Sequence, residues 1–178
     1  MTCQFVSLTE ERPGTIFRLL QKSYAVWAEE ELSEPDELAE WYAYDREAFL
    51  APDSVGACLF FTRCDQRTVG FASWDPRQAP EVGIVGHNCV LPEFRGRGLG
   101  ARQLREVLRR FQQKRIRIAR VTTLDHPFFV PAQRMYQACG FREVRRTPWP
   151  RHPSICQVTY EQTLCPPAES PTCRQERR

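Results

Sequence analysis

An α/β (α+β) fold built on a mixed six- to seven-stranded sheet, with helices on both faces, is what this 178-residue chain predicts. Periodicity is the first observation behind that reading. Short apolar runs and stretches with helical spacing alternate in the order β-α-α-β-β-β-α-β-α-β-β. The second is a hairpin signal at 56–74 followed by a β-α-β signal at 81–123, which together require antiparallel and parallel pairing in one sheet. The third is a glycine-rich passage, Gly96, Gly98 and Gly100, between the strand and the helix of that β-α-β unit.

The elements follow in order. Residues 3–8 suit a first strand. From about Pro13 to Glu30, Ile16, Leu19, Leu20, Ser23, Tyr24 and Trp27 recur at helical spacing. Ser33 is read as the N-cap of a second helix, with Pro35 in its first turn. Leu38, Trp41, Tyr42, Asp45 and Phe49 continue that helix. Residues 56–63 and 68–74 form strands joined by a turn at 64–67. Glu81–Leu91 is the long central strand, and Leu99 to about Arg115 the helix after the glycines. Ile118–Thr123 is a strand. Pro131 opens a short helix that Gly140 stops. Strands at 141–146 and 155–164 complete the sheet. The predicted domain is 1–164; residues 165–178 are polar and Pro-rich and read as a disordered tail.

Composition excludes several functions. A net charge of +3 is too small to argue for nucleic acid, and no recognised nucleic-acid motif accompanies the arginines. Charge is unevenly spread. Ten acids fall in residues 29–53 against one base, Arg46, while Arg95–Arg151 carries fifteen Arg or Lys. No apolar run approaches a membrane span. The opening residues turn polar, unlike a signal peptide. The eight cysteines include no C-x-x-C pair, so no metal site is expected. They read as reduced thiols in a cytoplasmic protein, with Cys58, Cys89 and Cys156 as small core residues.

The passage 90–101 carries the chemistry. Glycines allow tight turns and close ligand approach. The first N–H groups of the next helix lack partners and face a positive dipole end. Arg95 and Arg97 add charge. The whole reads as a cradle for phosphate or pyrophosphate. Three ligands could use it. Gly96-x-Gly98-x-x-Ala101 fits the loose dinucleotide pattern, with Asp125 near the ribose-binding position. However, Pro92-Glu-Phe-Arg95 separates strand from glycines, and an antiparallel hairpin precedes them. A nucleoside triphosphate would call for Gly-Lys-Ser/Thr, which is absent. Coenzyme A needs the same nest of N–H groups.

Arg95-x-x-Gly98-x-Gly100-Ala101 resembles the acetyl-CoA signature of the GNAT superfamily of N-acetyltransferases. Tyr136-Gln-Ala-Cys-Gly140-Phe141 is similar to that family's second signature. The resemblance covers roughly residues 3–164. It implies acetyl-CoA as co-substrate, held by Val90, Leu91, Arg95, Gly96, Arg97, Gly98, Leu99, Gly100 and Ala101 in a gap between the fourth and fifth strands. It also implies direct attack of an amine on the thioester, with Tyr136 as the acid for the leaving thiolate. A strand N–H near Val90 would stabilise the carbonyl oxygen.

The general base is not given by the resemblance. Many members carry a glutamate where this chain has Ile84. Glu81 and His87 are candidates, both at odd positions, which an undistorted strand would point to one face. Asn88 could orient a water or the acceptor, and His126 is an outside candidate. A water chain to bulk would need no dedicated base. Phe129 stands where members often have asparagine. The acceptor, a small-molecule, peptide or protein amine, would meet the first two helices. Their acids and the aromatics Tyr24, Trp27, Trp41 and Tyr42 would suit a cationic amine. A non-catalytic acyl-CoA-binding module is the alternative, and the assembly would be a monomer or homodimer.

Overall fold

The computed structural model describes residues 1–29 and 36–164. Seven strands form one sheet: β1 (Cys3–Val6), β2 (Leu59–Cys64), β3 (Arg67–Asp75), β4 (Val82–Val90), β5 (Ile118–Leu124), β6 (Arg142–Trp149) and β7 (His152–Thr163). Their spatial order is β1-β2-β3-β4-β5-β7-β6. Only β4 and β5 run parallel; every other neighbouring pair is antiparallel. The helices are α1 (Thr15–Ser23), α2 (Ala25–Glu29), α3 (Glu37–Leu50), α4 (Leu99–Gln113) and α5 (Val130–Ala138).

The sheet has a core on each face. Ile16, Leu19 and Leu20 of α1 and Trp41 and Ala48 of α3 pack on Phe61, Phe71, Cys89 and Leu91. On the other face Leu104, Val107, Leu108 and Phe111 of α4, with Tyr136 of α5, pack on Phe60, Val85, Val121 and Tyr160. The apolar spacing that predicted α1 and α4 is what buries them; of the face read for α3, Trp41 is buried but Leu38 and Tyr42 are exposed.

The predicted single helix from Pro13 to Glu30 is broken at Tyr24. Arg95, far along the chain, donates from its guanidinium to the Ser23 carbonyl at 2.6 Å. That carbonyl would otherwise accept the next helical hydrogen bond. Asp45 is not a solvated helix-face acid but is 1 % exposed. Its carboxylate accepts from the backbone N–H groups of Gly14 (2.7 Å), Ile16 (2.9 Å) and Phe17 (3.3 Å). Gly14, the N-cap of α1, has no side chain to do this. The predicted N-cap Ser33 lies outside the described residues, as does the tail at 165–178. The final hairpin is longer than predicted, because β6 and β7 pair up to Trp149 and His152. Pro148 is tolerated there because β6 is an edge strand.

The reduced-thiol expectation is corrected for one pair. The β1–β2 register sets Cys3 opposite Cys64, and the two form a disulfide with Cα atoms 4.1 Å apart. Cys58, Cys89, Cys139 and Cys156 are free; of these only Cys89 is fully buried. Among the described residues, no group of His, Cys, Asp or Glu is placed to hold a metal ion. No described helix is long and apolar enough to cross a membrane.

Candidate active site

Two irregularities in β4 shape the site. The first is a bulge. Ala72 pairs with Asn88 but Trp74 pairs with Val85, so Gly86 and His87 together oppose Ser73. The extra residue reverses the side-chain alternation. Upstream, Val85 packs in the core under α4, and a Cβ at Gly83 would meet the Phe111 ring. Downstream, it is Asn88 and Val90 that face α4, while Cys89 and Leu91 enter the core under α1 and α3. Glu81 and His87 therefore do not share a face, contrary to the undistorted-strand expectation. Glu81 precedes the strand, is exposed and pairs with Arg117 at 2.9 Å. His87 packs between Phe71 of β3 and Tyr44 of α3, with ring centroids at 5.8 and 5.5 Å. Burial there lowers its pKa to about 4.

The second irregularity is a parting of the sheet. β4 and β5 pair only from Val82↔Ile118 to Ile84↔Arg120. Beyond that point β5 stays with β7 as far as Leu124↔Gln157. Leu91 donates its N–H to Val69 of β3 at 2.8 Å. By alternation the backbone groups of Val90 and Asn88 point the other way, into the gap where β5 has departed.

The gap runs into the glycine cradle. Gly98 is the N-cap of α4 with φ 74°, and Gly96 has φ 72°. Glycine adopts such left-handed angles without Cβ strain. The first helical bond in this turn is from Arg102 to Gly98, so the N–H groups of Leu99, Gly100 and Ala101 have no helical acceptor. No acidic residue occupies that turn. At Gly100 a Cβ would come within 3.1 Å of the Met135 sulfur, so glycine lets α4 approach α5.

One cavity of about 410 Å³ joins these parts. Val90, Arg95, Gly96, Gly98, Leu99, Gly100 and Ala101 are among the residues that line it. Leu91, Arg97 and the acid candidate Tyr136, which packs in the core under α4, are not in its lining. Leu91 belongs to the α1–α3 core, and the Arg97 guanidinium lies over Phe94 at 5.3 Å and bonds the Glu93 carbonyl. Arg95 acts as a brace: besides Ser23 it donates to the Val90 carbonyl at 3.1 Å and lies over Phe128 at 5.9 Å.

Of the remaining lining, Tyr24, Asn88 and Phe129 were singled out in the sequence, whereas Cys89, Phe94, Phe128, Pro131, Ala132 and Met135 were not read as site residues. A signal that could have found Phe128 is the pair of adjacent aromatics after Pro127, between strand and helix, where apolar rings need a reason. Asn88 donates to the Gly100 carbonyl at 3.1 Å, and its Oδ1 is buried with no partner among the described residues. Phe129, in place of the family's asparagine, contributes a ring.

Tyr136 is 6 % exposed, with its ring 6.0 Å from both Phe141 and Tyr160. Burial pushes its pKa up to about 12. The Tyr24 phenol is also pushed up, by burial first and then by Cys89, Tyr136 and Glu37 around it. Burial likewise raises the Cys89 thiol to about 11. The aromatic wall expected for the acceptor divides. Tyr24 and Trp41 pack together at 5.5 Å, Trp27 is buried against His126, Phe129 and Trp149, and Tyr42 is exposed. His126 accepts from the Phe128 N–H at 3.2 Å.

Comparison with known proteins bears on what this cavity holds. No curated protein matches the chain in sequence. Among solved structures, the PaiA N-acetyltransferase of Thermoplasma acidophilum in complex with coenzyme A superposes with a TM-score of 0.72 at 15% identity, over 92% of this chain and 100% of that one. The NatC complex bound to Gag peptide and CoA gives 0.67 at 16% identity, over 93% and 100%. The ribosomal-protein-S18-alanine N-acetyltransferase of Escherichia coli gives 0.66 at 12%, over 91% and 94%. These likenesses are of fold. A model of the acetyltransferase (GNAT) family matches residues 15–141, from the start of α1 to the Gly-Phe that follows α5. The matched span contains the parted strands, the glycine cradle and Tyr136, and the chain belongs to the acetyltransferase (GNAT) family.

Proposed function

We propose that the protein moves an acetyl group from acetyl-CoA to a primary amine by direct attack. The observation that carries this reading is the parting of β4 from β5 where it meets the N-terminus of α4. A pyrophosphate fits the free N–H groups of Leu99, Gly100 and Ala101. A pantetheine arm fits the gap, where the backbone groups of Asn88 and the Val90 N–H can serve as its hydrogen-bonding partners, the Val90 carbonyl being held by Arg95. The thioester carbonyl then lies within reach of the Val90 N–H as its oxygen gains charge.

Tyr136 is the acid of this scheme. A phenol raised to about 12 keeps its proton at neutral pH and can give it to a leaving thiolate. Direct attack is favoured over an acetyl-enzyme because Cys89, the thiol in the cavity wall, is held at about 11 and stays protonated. Of the two expected bases, Glu81 is exposed and committed to Arg117, and His87 is weakened by burial.

The test is calorimetric titration of acetyl-CoA, followed by thiol release with a panel of primary amines. Turnover by the wild type is expected. Tyr136→Phe should lower kcat by roughly 10²-fold while leaving acetyl-CoA affinity unchanged. An unchanged kcat removes Tyr136 as the acid. Binding with no turnover on any amine assigns the protein to the acyl-CoA-binding modules instead.

A further inference from the structure

We propose that Glu37, the first residue of α3, is the general base that takes the proton from the acceptor ammonium. This rests on the acetyl-transfer reading above and supplies the group that reading lacks. Glu37 stands one helical turn before Trp41, on the same face of α3, and Trp41 packs on Tyr24 at 5.5 Å. The Glu37 carboxylate is in turn an electrostatic neighbour of the Tyr24 phenol. Tyr24 lines the cavity beside Asn88, Cys89 and Val90. The carboxylate thus lies beside Tyr24, on the α1–α3 side of the cavity and just outside its lining. One of its oxygens, Oε2, is buried and has no hydrogen-bond partner among the described residues. A buried, unpartnered carboxylate oxygen is costly unless something arrives to use it.

Burial separates Glu37 from the histidine candidate. It destabilises the charged form of each group. For His87 the charged form is the protonated one, so burial makes it a poorer proton acceptor. For Glu37 the charged form is the bare carboxylate, so burial, with Glu40 adding to it, makes it a better one. Among the described residues, the titratable groups beside Glu37 are Tyr24, at the C-cap of α1, and Glu40 from its own helix; Arg95, Cys89 and Tyr136 act on Tyr24 beyond.

The reaction balances with these residues. The ammonium gives one proton to Glu37. The freed lone pair forms the C–N bond at the thioester carbon. The C–S bond breaks, sulfur leaves with the bonding pair and takes the Tyr136 proton. The second nitrogen proton replaces the one Tyr136 gave, and Glu37 passes its proton to water.

The test compares the full-length wild type, Glu37→Gln and Glu37→Asp, using primary alkylamines and hydroxylamine as probes at saturating acetyl-CoA. Hydroxylamine is uncharged at neutral pH and needs no base to free its lone pair. Glu37→Gln is expected to lose roughly 10²-fold or more in kcat/KM on the alkylamine, with acetyl-CoA affinity and hydroxylamine turnover within about threefold of wild type. In Glu37→Gln the acidic limb of the wild-type alkylamine pH profile should give way to a rise that continues toward the amine's own pKa, and the wild-type limb should return in Glu37→Asp. An unchanged alkylamine rate and acidic limb in Glu37→Gln overturns the assignment and leaves acetyl transfer standing. So does an equal loss on both probes, which marks a structural role. A wild type active on hydroxylamine but on no alkylamine also overturns it, because no working base is then present. A wild type that binds acetyl-CoA and turns over neither probe overturns acetyl transfer and the base together.

Discussion

Replacing Asp45 by alanine should cost the protein about 3 kcal/mol. Three backbone N–H groups at the start of α1 end on this one carboxylate, at 2.7, 2.9 and 3.3 Å. The helix supplies no side-chain cap of its own. Losing an N-cap typically costs about 1 kcal/mol and at most about 2. Hydrogen bonds to a charged acceptor are worth about 1.5–3 kcal/mol, but three bonds to one group do not add in full. The site is closed to solvent, so water cannot replace the lost acceptor without rearrangement. For a chain of this size about 3 kcal/mol corresponds to a fall in Tm of roughly 6–12 °C. Calorimetry on wild type, Asp45→Ala and Asp45→Asn would read it. The asparagine variant should fall between the others, because its amide keeps one acceptor but turns a donor toward an N–H. A loss under about 1 kcal/mol in Asp45→Ala would refute the argument, as would an asparagine variant equal to wild type. Since α1 ends at Tyr24, the alanine variant should also weaken acetyl-CoA binding.

Other outcomes follow from single positions. Gly98→Ala places a Cβ at φ 74° where nothing lies within 4 Å. It should cost about 1–2 kcal/mol through backbone strain alone, read from the urea midpoint, and should weaken acetyl-CoA binding measured by calorimetry. Gly83→Ala is different, because its Cβ would lie 2.7–2.9 Å from three atoms of the Phe111 ring. Overpacking there should cost about 1–3 kcal/mol, with acetyl-CoA affinity little changed. Glu106, between Arg109 and Arg110, has its pKa lowered to about 2. A depressed folded-state pKa contributes stability that is full above the ordinary carboxylate range and is lost as pH falls through about 2. Glu106→Gln should therefore be less stable than wild type by about 1 kcal/mol at neutral pH, and the gap should close in thermal melts as pH approaches about 2.

The legible parts of this fold were those written locally. Apolar spacing located α1, α3 and α4, and the hairpin turn at Asp65–Gln66 joined the predicted strands. The glycine cradle was legible because φ 72° and 74° call for glycine whatever surrounds them. What escaped depends on partners distant in sequence. The bulge at Gly86–His87 exists only against Ser73, so the faces of Glu81 and His87 were assigned with the wrong parity. The break after Ser23 is made by Arg95, and the Cys3–Cys64 bond by the register of β1 on β2. Asp45 and Glu37 looked alike in an acidic stretch. One caps a neighbouring helix and the other keeps a carboxylate oxygen buried without a partner among the described residues, a difference visible only after packing.

The divergence of β5 from β4 gives the molecule an edge strand in its interior. Exposed strand edges recruit any extended backbone that can complete their ladder. The amide row through Asn88 and Val90 is such a template, enclosed by the cavity walls and with its Val90 carbonyl already taken by Arg95. A ligand arm lying there would finish the sheet, and by mass action the folded chain would melt at a temperature set by ligand concentration. Loss of the ligand would then leave a strand competent to pair with a stranger.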